Sequence, residues 1–122
     1  MNNYEMINLG FSTADSEIVS IHNIDWHKIE LKIIDWKEQK LKIIFNDVLA
    51  YSFQYFQTSD YRNDTIYIVN NSQWLQEQVK YFLDNYPNEV IDHIRHYKLC
   101  FNVDDQELNI ICSTDIKIEY YI

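Results

Sequence analysis

The stretch from His27 to Phe45 sets the pattern for the whole chain. Ile29, Leu31 and Ile33 alternate with Lys28, Glu30 and Lys32, and after Trp36-Lys37-Glu38 the series Leu41, Ile43, Phe45 alternates with Lys40 and Lys42. A period of two sends successive side chains to opposite faces of a strand. The pattern therefore predicts a β-hairpin with an apolar face turned inward and a lysine face in water. Leu49, Tyr51, Phe53 and Tyr55 alternate in the same way, Thr65 to Val69 is short and β-branched, and Glu17 to Asn23 reads as an earlier strand. Ser72 occupies an N-cap position ahead of Leu75, Val79, Phe82, Leu83 and Tyr86, whose spacings trace one face of a helix over 72–86 that Pro87 closes. Period two returns in Tyr97, Leu99, Phe101, Val103, then in Leu108, Ile110, Cys112, and again in Ile116, Ile118, Tyr120, which predicts a C-terminal meander.

These elements define an α+β class, mainly antiparallel sheet of about six or seven strands with one amphipathic helix. A chain of 122 residues is the size of a single domain, 1–122, and residues 1–15, which lack a sustained period, read as an N-terminal arm. Matching the apolar rows of the last strands sets Val103 opposite Leu108, Phe101 opposite Ile110 and Leu99 opposite Cys112. Cys100 then falls opposite Ile111, on the other face from Cys112, so no disulfide is expected.

Charge changes the picture next. Nineteen acidic against ten basic side chains give a net charge of −9, which disfavours nucleic acid and anionic membrane and favours encounter with basic proteins. The lysines cluster: residues 28–42 hold five of them against three acids. One Gly and one Pro leave no material for a Gly-rich phosphate loop or a flexible linker. Apolar runs of two or three residues are far short of the roughly 20 that a membrane span needs, and the first residues lack a signal-peptide pattern, so the expected compartment is the cytoplasm.

Candidate chemistry is sparse. His22 with His27 and His93 with His96 form two close pairs, and the second would share a turn if residues 88–96 were helical. The spacing His93-x-x-His96 matches no common zinc signature, so these are read as surface or edge histidines, with neither metal site nor cofactor expected. Cys100 beside His96 or His93 is the best nucleophile–base pair on offer, but no Gly-flanked elbow presents it. The densest acidic cluster, Asp104-Asp105-Gln106-Glu107, reads as a hairpin turn whose carboxylates project toward a partner's lysines and arginines. Ten Tyr, six Phe and three Trp exceed the needs of one core, and Tyr120-Tyr121 must place one ring on the less buried side. The candidate partner-binding residues are thus Asp104, Asp105, Glu107 and Tyr121.

The hairpin ending Leu41-Lys42-Ile43-Ile44-Phe45-Asn46-Asp47-Val48, with its Phe-x-Asp-Val close, and the later His96-Tyr97-Lys98 opening of the run to Ile118 give the chain a pattern that resembles small bacterial immunity proteins, encoded beside polymorphic or contact-delivered toxins. The likeness spans residues 16–121. It implies an inhibitor that works by tight occlusion and carries over no functional residue. The acidic surface suits a basic toxin. Two other classes stand beside this reading: a small enzyme with a His/carboxylate site, and a module that self-associates through exposed strand edges.

Overall fold

A computed structural model describes residues 3–56 and 61–121. Among them lie nine strands and one helix: β1 (Asn3–Met6), β2 (Glu17–Asp25), β3 (Lys28–Ile34), β4 (Lys40–Phe45), β5 (Ala50–Tyr55), β6 (Ile66–Asn70), α1 (Gln73–Asn85), β7 (Ile94–Phe101), β8 (Gln106–Ser113) and β9 (Ile116–Tyr120). They form two antiparallel sheets, one ordered β1-β6-β7-β8-β5 and the other β2-β3-β4-β9. The predicted α+β class, antiparallel with a single helix, is the one observed.

The two sheets meet through the rows that the period-two pattern marks. Ile29, Leu31 and Ile33 of β3 pair with Phe45, Ile43 and Leu41 of β4, all 2 % exposed or less. They face Tyr97, Leu99 and Phe101 of β7 and Leu108, Ile110 and Cys112 of β8 in one buried cluster. Each such side chain contributes about 1.5–3 kcal/mol when fully buried, so the sandwich rests on these two hairpins. The opposite faces of β3 and β4 carry Lys28, Lys32 and Lys42, as expected, with Glu30 and, from β9, Glu119 among them.

Two expectations need correction. The β7–β8 register is Tyr97 opposite Ile110 and Leu99 opposite Leu108, and Cys100 lies opposite Glu107, not Ile111. A shift by an even number of residues leaves every side chain on its face, so an apolar pattern cannot tell these registers apart. Val103 belongs to the turn and is 50 % exposed. Both cysteines are buried free thiols on opposite faces of the sheet. The final strands are not one meander: β8 pairs with β7 and β5, whereas β9 crosses to the other sheet and pairs with β4. Within the N-terminal arm, β1 pairs with β6, and Ile7, Leu9 and Phe11 pack against the core. Gly10 serves that packing: its φ is +99°, and a Cβ there would meet the Ile118 side chain at 3.2 Å. Residues 88–93, which the pattern leaves open, are irregular.

With a single glycine, the chain makes its tight reversals from other residues. Asp15, His27, Asp47, Asn71, His93 and Asp105 all take positive φ, as does Glu38. Asn, Asp and His are the side chains that tolerate this region best. Part of the acid excess is therefore turn chemistry.

Helix α1 forms where the spacing predicts. The Ser72 side chain accepts from the Leu75 N–H, an N-cap bond, and Pro87 follows the Tyr86 C-cap. None of its side chains is fully buried. It is fastened at its two ends, by Ser72 and Trp74 against His96 and by Phe82 against His27.

Candidate binding groove

The outer face of the five-stranded sheet carries a buried polar chain. The Ser72 hydroxyl donates to His96 Nδ1 at 2.7 Å, and His96 Nε2 donates to the Asn109 carbonyl oxygen at 2.9 Å. Lys98 Nζ reaches Glu107 Oε1 at 3.2 Å and the Tyr61 hydroxyl at 3.0 Å, Gln54 donates to Glu107 at 2.8 Å, and Tyr61 donates to its second oxygen. Burial alone would raise the Glu107 carboxyl, but the bonds from Tyr61 and Gln54 and the Lys98 charge outweigh it and hold it below the usual carboxylate range. Burial likewise lowers His96, against the pull of its bond to Asn109, with the Lys98 charge adding to the lowering. Through the Ser72–His96 bond the network fixes the start of the helix to the sheet.

This face also disposes of the proposed nucleophile pair. Cys100 is fully buried, and desolvation, with the Glu107 charge beside it, pushes its thiol up to about 12. His96 is committed to Ser72 and Asn109. His93 lies in the loop, 73 % exposed, against Asp92. The two histidines do not share a helical turn.

The four predicted partner residues do not converge. Asp104 and Asp105 are exposed on the β7–β8 turn, as the turn reading expects. Glu107 is a correction: it is 1 % exposed and held in the Lys98 ion pair, so it offers nothing to a partner. Its place two residues along β8 from the turn puts it on the outer face, under Tyr61. Tyr121 lies half-buried on the other sheet with Lys32 Nζ 5.2 Å from its ring.

A different place gathers exposed aromatics and carboxylates. The β2–β3 turn carries Trp26 at its tip, 71 % exposed, and His27 in the left-handed region. The turn is clamped to the β4–β5 loop: the Val48 N–H donates to the His27 carbonyl at 2.8 Å, and His27 Nδ1 donates to the Val48 carbonyl at 2.9 Å. His27 Nε2 is buried, and among the described residues it has no hydrogen-bond partner. Trp26 lies 4.1 Å from the His27 ring, His27 5.9 Å from Phe82, and Phe82 5.0 Å from Tyr86. The end of α1 and the 88–93 loop thus form the second wall.

Two adjoining cavities of about 330 and 450 Å³ share Trp26, His27 and Leu49. Asp25, Asp47, Glu89 and Asp92 line them, and among the described residues no Lys or Arg does. Val90, 89 % exposed, and Tyr51 and Tyr86 add apolar surface on the rim. Contiguous apolar surface rimmed by charge marks a contact site in a folded protein. Sequence reasoning weighed His27 only as half of a histidine pair and passed over Trp26. The available signal was a large ring set between two alternating strands, in Asp25-Trp26-His27-Lys28, where a turn normally takes small polar residues.

The geometry therefore defines an antiparallel β-sandwich with an acidic, aromatic groove at one end. No protein-family model, curated protein or solved structure matches the chain. Among the described residues no helix is long and apolar enough to cross a membrane.

Proposed function

We propose that this protein is a binding inhibitor of the immunity type, which neutralises a basic protein, such as a toxin domain, by seating part of it in the Trp26 groove. The observation that carries this is an indole left 71 % exposed over two cavities lined by four carboxylates and, among the described residues, by no lysine or arginine. An exposed Trp is the residue type most often responsible for affinity when an interface closes over it. The acid lining, on a chain of net charge −9, raises the encounter rate with a basic surface and selects against acidic ones. Asp104 and Asp105 lie on a separate turn and supply further negative field without belonging to the groove. In this reading the protein works in the cytoplasm, where two buried free thiols persist.

The test is affinity capture from the source organism with the full chain and with its Trp26→Ala variant. The expected result is a basic protein that the parent chain retains and the variant does not. Its release should be steep in salt, as the screening length contracts from about 10 Å at 0.1 M to about 3 Å at 1 M. The captured protein's own toxicity or activity should fall on adding the parent chain. Equal retention by both chains, or retention indifferent to salt, overturns the proposal.

A further inference from the structure

The occupant of the groove can be narrowed, on the strength of the reading above. We infer that the pocket between Trp26, His27 and Phe82 seats an arginine side chain of the partner.

The molecule itself supplies the precedent. Lys37 Nζ lies 4.9 Å from the centre of the Trp36 ring system, Lys98 Nζ 4.6 Å from that of Tyr61, and Lys32 Nζ 5.2 Å from that of Tyr121. Each is a cation held over a π face, the arrangement that an indole favours most. Over Trp26 the described residues place no lysine or arginine; its ring neighbours are His27 and Tyr86. The surroundings are nevertheless those of a cation site. Asp47, Glu89 and Asp92 line the pocket, and their carboxylates supply the negative potential there.

Between the two biological cations the shape selects the guanidinium. It is planar, so it lies flat against an indole while its edge donates a fork of N–H bonds to carboxylates beside the ring. It is also less strongly hydrated than an ammonium, which lowers the cost of entering a pocket walled by Trp26 and Phe82. A cavity of about 330 Å³ falls within the range that holds small ligands.

The experiment is an NMR titration of the full chain with N-acetyl-arginine amide, N-acetyl-lysine amide and the uncharged isostere N-acetyl-citrulline amide. The Trp26 indole and His27 ring signals should shift saturably with arginine, with a dissociation constant on the order of millimolar. Lysine should bind at least about fivefold more weakly and citrulline not measurably, since the stacked fork and the charge are both needed. Trp26→Ala should abolish the response, and Asp47→Asn with Asp92→Asn, which keeps the ring and the fold, should weaken it about tenfold. No saturable shift, or citrulline equal to arginine, overturns the inference; lysine equal to arginine also does, leaving a cation seat without arginine preference. If arginine fails here while Trp26→Ala still loses a basic protein in capture, the arginine seat is wrong and the groove stands. If both fail, the binding function falls with it.

Discussion

His96 and His27 are both gripped through Nδ1, one by the Ser72 hydroxyl and the other by the Val48 carbonyl, yet only His96 has its second nitrogen met, by Asn109. The same contrast runs through their surroundings. Around His96, Lys98 and Glu107 neutralise each other, Tyr61 and Gln54 complete the carboxylate, and His96, Lys98, Glu107 and Asn109 are all buried. Beside His27, three carboxylates and an exposed indole line a cavity. What separates a structural network from a recognition surface is whether its donors, acceptors and π faces are already matched.

If this distinction holds, the closed region should govern stability and the open one binding. The largest effect is expected from Lys98→Met, which strands the Glu107 carboxylate in a site 1 % exposed. Losing one partner of a buried pair costs about 3–5 kcal/mol, read as a lower urea midpoint at unchanged slope. Adding Glu107→Leu should recover part of it, because an apolar pair needs no charge balance. Partner capture per folded molecule should not change. A Lys98 variant that folds normally but loses capture would break the contrast.

Trp26→Ala comes next and should do the reverse. Affinity for the basic partner should fall by about 2 kcal/mol, roughly 30-fold, the usual loss at a central aromatic. Stability should stay within about 0.5 kcal/mol, since the ring is mostly in water. Isothermal titration and urea unfolding on the same two chains separate these outcomes.

Acid should sharpen the contrast further. Burial holds His96 below its ordinary value, so on lowering the pH below about 6.5 the unfolded chain takes up a proton that the folded one refuses. Stability is therefore complete above that value and declines beneath it. Glu107 is likewise held low, so its contribution is present above about pH 4.3 and is lost on further acidification. Urea midpoints from neutral to acid should show the first decline removed by His96→Asn and the second by Glu107→Gln. A flat profile through both ranges would mean that neither group is sealed as described.

How far the sequence foretells this division depends on which property is asked of it. The inner rows of β3, β4, β7 and β8 were legible because a period of two fixes which face of each strand carries Leu31, Ile43, Leu99 and Ile110 into the core, though not the register between strands. The helix was legible from Ser72 onward for the same reason, with a cap added. The pairing of β9 with β4 was not, since chain proximity favours β8 and only the closed sandwich makes the crossing worthwhile. Glu107 misled because it follows Asp104 and Asp105 in a run of polar residues, while its outer-face neighbour Lys98 lies nine positions earlier. The groove was hidden for a related reason. Trp26, Asp47, Phe82 and Asp92 belong to four separate segments that only the fold assembles.

The smallest effect is expected at the far end of β3, and it decides whether exposure alone makes a site. Trp36 caps the β3–β4 turn, 60 % exposed, in an acidic setting of Asp15, Glu17, Asp35 and Glu38. By composition it equals the Trp26 end. Here, however, Lys37 already covers the ring, and the Asp35 carboxylate accepts from the Lys37 and Gln39 N–H groups of its own turn at 3.0 and 2.8 Å. Trp36→Ala should therefore leave partner affinity within about twofold and stability within about 0.5 kcal/mol. A loss equal to that of Trp26→Ala would show that an indole among carboxylates recruits the partner whether or not its own lysine occupies it. Saturation would then no longer be what separates the two ends, and the cation missing over Trp26 would lose its meaning.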